Sequence, residues 1–244
     1  MNRPHYRAAF LITLLLAPAL TLTAEERQVI GKPPAPPNDL ELVQRVREAR
    51  RKYQKSLETL REHYQKNGDL ERMRWVEEEL LAFHRIAKRE YRLDLDVPPP
   101  TLQAAYNIPE ANELYRKAMS FKGKGWFSEG DDNIRRAELL FQKLLETYPQ
   151  SDKIDKSGYQ LGEIYESRVF KQYRRAALYY ERVCDWNPNT DSDACMRAAR
   201  LYDKQLNDRS RAIQLYRHVV THSGDAKRVD EAKRRLADLS AAPP

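Results

Sequence analysis

From Asp39 onward, apolar side chains recur at helical spacing against a charged background. Val43, Val46, Tyr53, Leu57, Leu60 and Tyr64 follow one another at intervals of three, four or seven, and so do Met73, Val76, Leu80, Phe83 and Ala87. These stripes predict two amphipathic helices of about 25 residues, roughly 40 Å each, folded into a hairpin over 39–96. Asn67-Gly68-Asp69 suits the turn, because glycine takes the left-handed conformation that ends a helix and aspartate caps the next. A three-four stripe flanked by charge is also a coiled-coil pattern, so self-association of the hairpin stays open beside simple packing of its two arms.

The second half carries a different pattern. An alanine stands four residues before an aromatic residue, and a proline usually follows eight later: Ala137, Phe141, Pro149, then Ala176, Tyr180, Pro188, then Ala212, Tyr216, with Gly224 in the proline slot. The alanines are 39 and 36 residues apart, the spacing of a helical-hairpin array. Leu161-Gly162 and Tyr165 precede the middle set, Ala118 and Phe121 the first, Ala199 and Tyr202 the third. Small residues let two helices cross closely, and the aromatics fill the gaps beside the crossing. Val229, Ala232, Leu236 and Leu239 form one stripe with a charged back, as a capping helix requires.

Proline-rich breaks divide the chain. The expected organisation is a signal over 1–24, a stiff linker over 25–38, the hairpin, a second linker over 97–108 around Pro98-Pro99-Pro100, and repeats over 109–240. The repeats divide at about 109–150, 151–189 and 190–224, with a cap over 226–240. The fold class expected is all-α, in keeping with 32 % charged residues and only 8 glycines. The one short strand-like alternation is Tyr91 to Val97.

Arg3 and Arg7, the apolar run from Ala8 to Leu22 and the small residues at Ala17-Pro18-Ala19 and Thr23-Ala24 read as an export signal. The run is shorter than the roughly 20 residues that span a bilayer. The expectation is therefore a periplasmic or secreted chain after cleavage, with anchoring by an uncleaved signal as the alternative. Loss of Arg3 and Arg7 would lower the formal charge from +7 to +5. Charges alternate in sign along the helices, so neither a nucleic-acid stripe nor a tract is visible, although attraction to wall polymer or membrane stays open. In an exported chain Cys184 and Cys195 either form a disulfide across the junction of two repeats or act as two buried hydrophobes.

The sequence Leu161-Gly162…Tyr165…Ala176…Tyr180…Pro188 resembles the tetratricopeptide repeat family. The surrounding residues are most similar to its exported bacterial envelope members, of the outer-membrane-assembly lipoprotein and Tol–Pal division-coordinator types. The chain departs from them in lacking a lipoprotein cysteine and in having about three repeats. The resemblance implies a right-handed solenoid that binds a peptide or helix of an envelope protein on its concave face. Carried across, the lining is Asn112, Tyr115 and Met119, then Lys156, Tyr159 and Glu163, then Met196, Arg200 and Asp203.

Catalytic chemistry is not expected, nor is a cofactor. The glycine-rich loop from Lys122 to Gly130 lacks the lysine followed by serine or threonine of a phosphate-binding loop. Its Trp126 and Phe127 either tuck against the hairpin or anchor a partner. His218 and His222, four apart, have no evident third metal ligand. The reading is a non-catalytic adaptor, and the alternative is a structural protein that meets wall polymer or membrane through its basic surface.

Overall fold

The computed structural model describes residues 39–86, 89, 91–123, 130–187 and 192–241. The expected signal over 1–24 and linker over 25–38, together with Ala87, Trp126, Phe127 and Pro188, lie outside the described residues. Among the described residues the chain is all-helical, with ten helices and no strand. None of these helices is long and apolar enough to cross a membrane.

Helices α1 (Asp39–Lys66) and α2 (Leu70–Arg85) are joined by the expected turn. Gly68 adopts φ +71°, and the Asp69 carboxylate accepts from the Arg72 amide at 3.1 Å. Leu57, Val76 and Leu80 are buried between the helices, Tyr64 closes the cluster, and Tyr53 meets Phe83 edge-on. Unlike the expected pair of equal arms, α2 has 16 residues against 28 in α1. Its last turn ends where Ile86 becomes extended, and Arg85 there holds Asp132 with both carboxylate oxygens, at 3.1 and 2.7 Å. Leu42 and Val46 on α1 consequently remain exposed.

The segment after α2 is neither a strand nor a free linker. Leu93–Asp96 forms a single helical turn, α3, and the following proline run lies against α7 (Tyr173–Trp186). Four side chains on one face of α7, at helical spacing, hold it. Arg175 donates to the Asp96 carboxylate at 2.7 Å and Tyr179 to the Asp96 carbonyl at 3.4 Å. Arg182 donates to the Pro98 carbonyl at 2.9 Å, and Trp186 to that of Pro99 at 2.8 Å. Val97 is 4 % exposed within the main core. Prolines donate no backbone hydrogen bond, so their carbonyls are what α7 can grip. Farther on, Tyr106 exchanges backbone hydrogen bonds with Gln150 and Asp152.

The remaining helices are α4 (Pro109–Lys122), α5 (Gly130–Thr147), α6 (Ile154–Glu166), α8 (Ala194–Lys204), α9 (Arg209–His222) and α10 (Ala226–Ala241). Each packs on its neighbour in the chain through the small and aromatic positions read from the sequence. Ala137, Phe141, Ala176, Tyr180, Ala212 and Tyr216 are all fully buried. Gly162 lies flat under the Tyr180 ring, where a Cβ would stand 2.5 Å away. Three of the buried tyrosines find a carboxylate for the hydroxyl, since a buried hydroxyl needs a partner: Tyr165 donates to Glu138, Tyr180 to Glu166 and Tyr216 to Asp203. Cys184 and Cys195 form a disulfide linking the end of α7 to the start of α8, with Cα atoms 5.9 Å apart.

Candidate functional site

Helices α4, α6, α8 and α10 present a row of side chains that cross from one helix to the next. Lys122 on α4 reaches Gln160 and Glu163 on α6. Glu163 also faces Arg197 on α8 at 3.4 Å, and the Tyr159 hydroxyl donates to Asp193 at 2.7 Å. Arg200 holds Glu231 of α10 through two hydrogen bonds of 2.8 and 2.6 Å. Arg235 of α10 grips both oxygens of Asp203.

Arg197 is the centre of this row. Its guanidinium lies 5.2 Å from the Tyr159 ring centroid and 5.6 Å from that of Tyr180, near enough for cation–π attraction. It donates to the Tyr180 hydroxyl and to Asp193. Burial drives the Tyr159 phenol well above its usual range, and the hydrogen bond to Asp193 adds to that. Burial alone would raise the Asp193 carboxyl, but the Tyr159 hydroxyl and Arg197 outweigh it and hold the group below its usual range. The residues therefore keep fixed charge states near neutrality: phenol neutral, carboxylate and guanidinium ionised. The sequence reading passed over Arg197, whose only local signal is its i,i+4 spacing from Asp193.

The nine residues carried across from the family resemblance divide into two groups. Tyr115 and Met119 on α4 and Lys156 on α6 are accessible. Met119 is 37 % exposed, and Tyr115 is half-buried, edge-on to Phe141. Burial raises the Tyr115 phenol, with Asp155 and Glu163 contributing. Half-buried Asn112 donates to Asn107 at 2.6 Å, while its own side-chain oxygen is buried without a partner. Tyr106, 61 % exposed, stands in the segment that leads into α4.

The other group is buried or has its polar groups paired within the protein. Met196 is 1 % exposed and belongs to the core, because α8 turns that position inward. The Asp203 side chain is 5 % exposed beneath Arg235, and Arg200 is held by Glu231. The expectation that Met196 and Asp203 line an open face is corrected: α8 turns Met196 into the core, and Arg235 of α10 covers the Asp203 carboxylate, while Arg200 is paired with Glu231 of α10. Tyr159 and Glu163 are present at the surface but spend their hydrogen bonds within the protein. Trp126 and Phe127 lie outside the described residues.

His218 and His222 stack with ring centroids 4.2 Å apart on α9. Among the described residues no group of three histidine, cysteine or acidic side chains is placed to hold a metal ion. No protein-family model matches the chain, and no curated protein matches it.

Proposed function

We propose that helices α4–α10 form a short tetratricopeptide-type solenoid preceded by a helical hairpin, and that the chain is a non-catalytic adaptor of the bacterial cell envelope. An extended peptide or a helix of a partner protein lies across the inner row at its α4–α6 end. The observation that carries this reading is the contrast within that row. At the α8 end Arg200 and Asp203 are paired with Glu231 and Arg235 of α10, whereas at the α4 end the Tyr115, Met119 and Lys156 side chains are accessible and make no hydrogen bond or ion pair among the described residues. An aromatic ring and a thioether give apolar contact at low ordering cost, and the lysine adds charge for register. Export by the amino-terminal segment would put this face in the periplasm or outside the cell.

Crosslinking of the tagged full-length chain in living cells, followed by mass spectrometry, tests the proposal. One or two envelope proteins should be trapped reproducibly and lost from the triple variant Tyr115→Ala, Met119→Ala, Lys156→Glu. Met196 is left intact, since its removal would empty the core. Recovery of wall polymer, lipid or the chain itself alone would exclude the adaptor.

A further inference from the structure

A cleft of about 400 Å³ opens between α1, α5, α7 and the side chains of Ile86, Arg89, Tyr91, Asp96 and Pro98. Its floor is apolar: Val43, Leu145 and Tyr179 are 8 %, 3 % and 1 % exposed. Phe83 and Ile86 continue that surface up one wall. The rim and walls are cationic. Arg50, Arg51 and Lys55 come from α1, Lys143 from α5, and Arg89 from the segment after α2. Arg47 and buried Arg175 also reach the cleft, where they share Asp96 at 3.2 and 2.7 Å. Among the described lining residues the acidic groups are Asp96, Glu58 and Glu146, so seven described cations face three anions, an excess of four.

Arg50, Lys55, Arg89 and Lys143 make no ion pair among the described residues, and Glu58 accepts from Gln54. Asp96, the acid nearest the floor, is spent on Arg47 and Arg175. Like charges brought together by folding repel one another, and a cleft concentrates their field. The arrangement thus favours an anion that enters with more than one charge.

We propose that this cleft binds a small organic phosphate, with the phosphate among Arg50, Arg89 and Lys143 and the apolar body on Tyr179, Leu145 and Val43. Guanidinium groups match phosphate oxygens with paired donors, and a phosphate monoester supplies up to two negative charges. The volume suits a small molecule rather than a polymer chain. The site shares no residue with the α4–α6 face, so it stands or falls independently of the adaptor reading.

Isothermal titration calorimetry on the purified chain, with phenyl phosphate and inorganic phosphate as probes, provides the test. Phenyl phosphate should bind several-fold more tightly than inorganic phosphate, because only it covers the apolar floor. The double variant Arg50→Glu, Lys143→Glu, with one charge reversed on each wall, should weaken phenyl phosphate about tenfold or more. The variant Arg217→Glu, Lys233→Glu reverses equal charge away from the cleft and should stay within about twofold of the parent. Should the first double variant fail to fold by circular dichroism, Arg50→Gln, Lys143→Gln takes its place in the same comparison. Absence of phenyl phosphate binding, or equal weakening by both double variants, would overturn the proposal. Displacement of bound phenyl phosphate by vesicles containing phosphatidic acid would assign the phosphate to a lipid headgroup. Retention would assign it to a soluble ligand, and either result upholds the cleft as the site.

Discussion

At Gly162 the helix pair α6–α7 comes so close that a methyl group would sit 2.5 Å from a ring that is itself fully buried. Tyr180 cannot swing aside, since its hydroxyl is held by Glu166 and Arg197. Gly162→Ala is therefore expected to lower stability by about 1–3 kcal/mol through overpacking, despite alanine's better helix propensity, as urea denaturation would show. His218 makes a second prediction at this scale. Burial lowers its pKa from the ordinary 6.5, the adjacent His222 lowers it further, and Asp185 opposes them. The unfolded chain then binds the proton more tightly than the folded one. Stability is complete above pH 6.5 and falls as pH drops through the folded value. His218→Leu should flatten the pH dependence of the thermal midpoint between about pH 7.5 and 5.5. The alanine, glycine and aromatic positions were legible because a close helix crossing admits few residue types. Met196 differs from expectation because the family spacing placed it on the open side of α8, whereas the helix turns it into the core.

Between elements, two connections decide the arrangement. The disulfide closes the junction from α7 to α8 over a sequence separation of 11. The paired substitution Cys184→Ser, Cys195→Ser is expected to lower unfolding free energy by about 3 kcal/mol, the loop-closure value for this length, in denaturant titrations run without reductant. Where α10 meets α8, Arg235 covers a carboxylate that is 5 % exposed. Arg235→Ala should cost about 1–3 kcal/mol by leaving Asp203 without its ionic partner. Hydrogen exchange should then show faster opening of α10 than of α6. The sequence shows the single apolar stripe of α10. It did not announce that Glu231 and Arg235 would take over the inner face of α8, since those pairs span 31 and 32 residues.

Over the whole molecule, the charge pattern and the proline run were the features least legible in the sequence. The basic residues of the cleft come from α1, α5, α7 and Arg89, far apart in the sequence, so the cationic cleft exists only once α1, α5 and α7 face one another across it. Likewise Val97 to Pro100 looks like a spacer, and only packing turns its carbonyls toward α7. Asp96→Ala is expected to destabilise by about 3 kcal/mol, because Arg175, 3 % exposed, would lose its short carboxylate contact. Protease sensitivity at 93–100 should rise in step. A repeat array is usually modular, so that one unit can be exchanged or copied without disturbing the others. Here the outward side of α7 is dedicated to a segment that precedes all the repeats, and a copy of that helix elsewhere would find nothing to grip. A second copy of α6 and α7 would therefore leave an arginine, a tyrosine and a tryptophan with no carbonyls to meet.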